Sequence, residues 1–287
     1  MAAPTEAMGL KLSGVITVPA MTLPTEDGEP LETSWHRSEI NLLIEMIRVH
    51  WRGRHDFYAG GNMFIYYSLD QARNRDYRGP DFFVVRGVNG SFSREAWVVW
   101  EENGKYPDVI IELLSRSTAR EDLTTKKELY ERTFRTAEYF CYDPDTHLLR
   151  GWRLAPMRYS EIEASPQGWL FCEQVGLWLG LWEGRYLEEP STWLRFYDAT
   201  GNVVPTYGEL AHQQAEQESQ ARRQAEAQAE QESQARRQAE VQAEQESQAR
   251  RQAEARAEQA EAELAQLRES LQKQGVALAE DSRRSPN

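Results

Sequence analysis

Two carboxylates stand where carboxylates are expensive. Asp81 opens the apolar run DFFVVRGV (81–88), and Glu112 sits inside DVIIELLS (108–115), between Ile111 and Leu113. A carboxylate in such a strand costs free energy unless something pairs with it. A hard divalent cation suits that role, because it takes carboxylate oxygens and leaves positions for water and phosphate. Side chains on one face of neighbouring strands approach to about 5 Å, close enough to share one ion. Asp108 shares a face with Glu112, but four strand residues separate them by roughly 13 Å. Asp81 is therefore the better co-ligand, and Asp108, directly after Pro107, reads as a turn residue. The competing structural reading pairs Asp81 and Glu112 with an arginine.

A positive charge must join the carboxylates if the site is to handle phosphate. The segment AREDLTTKKELYERTF (119–134) has helical period, with Leu123, Tyr130 and Phe134 as anchors, and it supplies Lys126 and Lys127. At about 100° per residue both lysines flank the inward face, so helical geometry does not choose between them. Two snorkelling surface lysines are the ordinary alternative. Other chemistry is missing. His36, His50, His55, His147 and His212 share no metal-ligand spacing. No nucleophile elbow, phosphate-binding loop or dinucleotide turn is present. Cys141 lies mid-strand between aromatics and reads as a small buried residue. With Cys172 it makes neither a disulfide framework nor a zinc site.

The elements that must position these residues follow from the hydrophobic period. WHRSEINLLIEMIRVHW (35–51), after Thr33 and Ser34, places Ile40, Leu43, Ile44, Ile47 and Trp51 at helical spacing. Strands are predicted at 62–68, 81–88, 96–100, 108–115 and 138–144, with a hairpin signal at Asn89-Gly90. The strand–helix–strand order from 108 to 142 reads as a crossover unit joining parallel strands. The expected fold class is α/β, a mixed sheet with flanking helices.

Composition divides the chain. All 9 Trp, 12 Tyr and 9 Phe lie before position 211. The net charge of −13 splits into −9 (22 Lys+Arg against 31 Asp+Glu) for the first 210 residues and −4 (11 against 15) for the rest. Neither part suits nonspecific coating of nucleic acid by charge, though a small acidic metal site on nucleic acid stays open. The last part is a repeat: AEQESQARRQAEAQ (215–228) recurs nearly unchanged at 229–242, with Val241, and at 243–256, with Arg256. Fourteen residues are two heptads. Glu218–Arg222, Glu232–Arg236 and Glu246–Arg250 are spaced i, i+4, and no Gly or Pro occurs from 209 to 274. One long helix is predicted. Its seam is mostly Ala and Arg and becomes apolar only at Leu264, Leu267, Leu271 and Leu278. A solvated single helix and a weak coiled coil both remain open. The expected organisation is a lead-in at 1–30, a globular domain at 31–207, the repeat helix at 208–273 and a disordered tail at 274–287. No apolar run reaches the length of a membrane span, and Glu6 precedes the first basic residue, Lys11, unlike a secretory signal. A cytoplasmic protein is the expectation.

The strings GPDFFVV, YPDVIIELLSRST and DLTTKKELYERTFRTAEYFCYDP together resemble the Uma family of "putative restriction endonucleases", within the PD-(D/E)XK nuclease superfamily. The likeness spans roughly 35–200 and includes WLRFYDATG (193–201). It implies a restriction-endonuclease-like fold, Asp81 and Glu112 as ligands of Mg²⁺ or Mn²⁺, and a catalytic lysine moved from strand to helix. The family's Lys-x-x-x-Tyr spacing fits Lys126 with Tyr130 and so implies Lys126. Arg116 departs from the family's usual proline, outside the metal set. The implied activity is metal-dependent endonucleolytic cleavage of DNA. The alternative is a non-catalytic nuclease-like module that meets partners, or a second copy of itself, through the C-terminal helix.

Overall fold

The computed structural model describes residues 33–74 and 79–273. The expected lead-in at 1–30 and tail at 274–287 lie outside the described residues. The chain forms two compact units, Met1–His212 and Gln213–Asn287.

The first unit begins with α1 (Ser34–His50), capped by Thr33, whose Oγ1 accepts from His36 N at 3.3 Å. Its apolar stripe buries Ile40, Leu43, Met46 and Ile47. Each such side chain contributes about 1.5–3 kcal/mol when fully buried. The main sheet has six strands: β1 (Phe57–Gly60), β3 (Phe82–Arg86), β5 (Val109–Leu113), β6 (Glu138–Asp143), β7 (Leu148–Ala155) and β8 (Arg158–Glu161), hydrogen-bonded in that order. The β5–β6 pair is parallel, as the crossover reading requires, and the other pairs are antiparallel. A second sheet is formed by β9 (Leu170–Cys172), β10 (Leu177–Tyr186) and β11 (Glu189–Tyr197). The small parallel pair of β2 (Ile65–Tyr66) and β4 (Trp97–Val98) flanks α2 (Leu69–Arg73).

Strand alternation sends side chains to two cores. Phe82, Val84, Val109, Ile111 and Leu113 pack with α1 and the second sheet. Phe83, Val85, Ile110 and Tyr139 pack on the other face with Tyr130 and Phe134. Those two aromatics belong to the 119–134 helix, which alternates α-helical turns with π-helical turns at Asp122–Lys126 and Tyr130–Phe134. Asp81 and Glu112 are in phase with Phe83 and Ile110, so they face this helix.

Several sequence expectations are corrected. Asn89-Gly90 turns the chain, with Asn89 Oδ1 accepting from Ser91 N at 2.9 Å, but joins no hairpin. β3 pairs with β1 and β5, and β4 pairs with β2, because those registers match the apolar faces. The strand expected at 62–68 shortens to two residues, since the chain bends into α2 at Ser68. β1 had no clear period-2 signal over its four residues.

In the second unit and the turns leading into it, Tyr207–Lys273 is one 67-residue helix with no buried residue. At 1.5 Å per residue it spans about 100 Å. The expected Glu–Arg pairs are not the ones formed. Arg222, Arg236 and Arg250 pair forward with Glu226, Glu240 and Glu254, at 2.9, 3.9 and 3.1 Å. Each arginine has a glutamate one turn away on both sides, and an exposed pair is worth only about 0.3–0.5 kcal/mol either way.

Candidate active site

The sheet register builds the site. Phe82 faces Ile111 and Phe83 faces Ile110 across β3 and β5. One step further, Asp81 lies opposite Glu112. Asp81 N donates to Glu112 Oε2 at 3.3 Å, and Leu113 N donates to Asp81 Oδ2 at 2.7 Å. The carboxylates thus replace the ladder where the two strands part. Gly61 is required beside them. A Cβ there would collide with the Asp81 carbonyl oxygen and with Ile40 of α1.

The 119–134 helix supplies the rest. Lys126 Nζ stands 3.3 Å from Glu112 Oε1 and 2.6 Å from Asp122 Oδ1. Tyr130 OH donates to Glu112 Oε1 at 2.9 Å. Asp122, Lys126 and Tyr130 are spaced by four residues, and the π turns keep them on the side facing the strands. Such turns recur at functional sites. Lys127 points elsewhere, with its ammonium 3.9 Å above the Trp152 ring. Of the two lysines left open by periodicity, Lys126 is the one beside the carboxylates.

Burial governs the electrostatics. It pushes the Glu112 carboxyl up to about 8, with Lys126 opposing and Asp81 and Asp122 reinforcing the shift. Burial also raises Asp81, against the Leu113 N–H, Lys126 and a hydrogen bond with the Glu112 carboxyl. Lys126 is held above the ordinary lysine range: burial opposes its charge, but Glu112, Asp122 and Asp81 together outweigh that. Burial and Glu112 lift the Tyr130 phenol well above its usual range, so it remains a donor. The site therefore holds a fixed ammonium and two carboxyls, Asp81 and Glu112, whose ionisation burial resists.

That imbalance fits a divalent cation. Were all three carboxyls ionised, one ammonium would leave two negative charges to neutralise. Among the described residues, no group of three or more His, Cys, Asp or Glu is placed so that it could hold a metal ion. Asp81 and Glu112 would supply two hard oxygen ligands for such an ion, whose remaining positions water could fill.

The sequence-predicted trio Asp81, Glu112 and Lys126 is brought together. Sequence reasoning left Asp122 without a role, although its i, i+4 spacing to Lys126 was the available signal. Asp108 stands apart: its Oδ2 accepts from Arg86 N at 2.6 Å, at the far end of β3. Arg116 forms an exposed pair with Asp145. The histidines do not converge. His36 meets Thr33, His50 meets the Val175 carbonyl, and His147 meets Tyr142.

The family model described as "Uma2: Putative restriction endonuclease" matches residues 26–182. This chain belongs to the Uma2 family. The match contains Asp81, Glu112, Asp122, Lys126 and Tyr130, so the whole cluster lies within the Uma2 region. Among solved structures, a "putative nuclease belonging to DUF820" from Anabaena variabilis ATCC 29413 is similar, at 13% identity and a TM-score of 0.38 over 53% of this chain and 81% of that one. No curated protein matches the sequence. No described helix is long and apolar enough to cross a membrane.

Proposed function

We propose that this Uma2 chain is a metal-dependent endonuclease that hydrolyses phosphodiester bonds in DNA. The observation that carries the reading is the half-buried ammonium of Lys126 between the buried Glu112 and Asp122, with Asp81 opposite Glu112 on the next strand. A structural ion pair needs one carboxylate. Three around one lysine leave capacity for a further cation.

Asp81 and Glu112 would hold Mg²⁺ or Mn²⁺, which when bound polarises a phosphate and lowers the pKa of a water ligand. Glu112, Asp122 and Asp81 hold Lys126 above the ordinary lysine range, which suits it as a hydrogen-bond donor rather than a base. It would donate hydrogen bonds to the attacking water or to the phosphoryl oxygens on which charge develops. Asp122 fixes the lysine, and Tyr130 fixes the orientation of Glu112 through its hydroxyl.

A second reading, a non-catalytic module that binds partners or a second copy through its C-terminal helix, draws support from the 67-residue exposed helix. The two readings separate in one assay. Purified full-length protein should nick supercoiled plasmid with Mg²⁺ or Mn²⁺ and not with excess chelator. Cleavage of RNA alone would correct the substrate. Absence of cleavage of any nucleic acid would favour the module.

A further inference from the structure

The body is acidic, yet one surface beside the site is not. On α1, Arg37, Asn41 and Arg48 fall within about 40° of one another on the outer face. Arg52 follows just past the helix end. All four are exposed. None of the three arginines has a carboxylate partner among the described residues. The two carboxylates of α1 are engaged elsewhere: Glu39 is buried and accepts from Leu194 N, and Glu45 accepts from Tyr207 N. By contrast Arg54, Arg132 and Arg185 pair with Asp56, Glu128 and Glu188.

Two clefts lie along this stripe. The first, about 390 Å³, is lined by Arg37, Asn41, Gly61 and Asn62. It reaches the backbone at Asp81: Asn62 N donates to the carbonyls of Pro80 and Asp81 at 3.0 and 3.2 Å. The second, about 250 Å³, is lined by Arg48, Arg52 and Tyr58. Arg37 and Arg48 are about 16 Å apart along the helix axis. That equals about five steps of a DNA strand at 3.4 Å each.

We propose that the outer face of α1 is a phosphate track that leads a DNA backbone to the Asp81–Glu112 pair. Arg37 and Arg48 supply the charge, and the Asn41 and Asn62 amides supply hydrogen bonds next to the cut. The track rests on the nuclease reading and assigns where its substrate lies. It also accounts for how a chain of net charge −13 holds a polyanion: by a line of unpaired arginines rather than a basic surface.

The test is binding of a fluorescein-labelled DNA duplex to the full chain in Ca²⁺, by anisotropy over a range of salt. Arg37→Ala/Arg48→Ala should weaken binding about tenfold. It should also lower the slope of log K against log salt by about 1 per arginine. The charge-matched control Arg132→Ala/Arg185→Ala should bind as the parent does. Equal affinity and slope for parent and track variant would overturn the track and leave the nuclease reading standing. Equal weakening in the control would also overturn it, since net charge alone would then explain the loss. A parent that neither binds nor cuts DNA would overturn both.

Discussion

Lys126 Nζ stands 3.3 Å from Glu112 Oε1, although one residue leaves a helix and the other the middle of a strand. The contact exists because the π-helical turn at Asp122–Lys126 aims the lysine at the sheet, while the next residue, Lys127, covers Trp152. Two adjacent lysines thus have different work.

That difference predicts unequal variants. Lys126→Ala should remove metal-dependent cleavage and destabilise the fold by about 3 kcal/mol, because Glu112 and Asp122 lose their buried counter-charge. Lys127→Ala should keep activity and cost about 0.5–1 kcal/mol, the worth of its cation–π contact. Urea unfolding and plasmid nicking on both proteins check this. Activity lost with Lys127 and kept without Lys126 would reverse the assignment.

How much of this was legible in the sequence depends on the length of the signal. Asp81 and Glu112 could be paired because strand phase is fixed by runs of four or five apolar residues, and the parallel β5–β6 pair followed from the connecting helix. The lysine could not be chosen from periodicity, since a wheel at 100° per residue does not describe a helix with π turns. Asp122 looked like any acidic residue in a first helical turn. Asn89-Gly90 carried a local hairpin preference that the pairing of β3 with β1 and β5 overrode.

Glu39 gave no warning either, as one charged residue in a helical stripe. Burial pushes its carboxyl up to about 8, against the Leu194 N–H and Arg195. A folded pKa above the unfolded value means that the native state prefers the protonated acid. Its contribution is fully present below about pH 4.5, declines as the pH rises, and is gone above about pH 8. The Tm of Glu39→Gln should therefore fall less than that of the parent between pH 5 and 8, a difference on the order of a few kcal/mol in stability. Parallel Tm curves for the two proteins would show that Glu39 ionises normally in the fold.

The C-terminal helix invites a separate expectation. Its three Glu–Arg pairs add little, so helicity must come from propensity and length. A peptide covering 213–273 should be strongly helical at low temperature and melt gradually. Any self-association should weaken when Leu264, Leu267 and Leu271 become Ala, since these form its apolar segment. Circular dichroism with sedimentation decides both points. A peptide without helix, or association untouched by the leucine changes, would contradict this view.

The central claim is that the buried carboxylates act in hydrolysis, and Glu112→Gln tests it most directly. Glutamine keeps the volume and still accepts the Tyr130 hydroxyl, but removes the anionic ligand oxygen. With parent and variant purified identically, single-turnover cleavage of labelled duplex DNA in Mn²⁺ should fall at least about a thousandfold, as expected when a principal transition-state contact is lost. The Tm should be equal or higher, because a carboxyl whose ionisation burial resists has been replaced by a neutral group. Cleavage at the parent rate by Glu112→Gln would show that the cluster is structural and that the chemistry lies elsewhere.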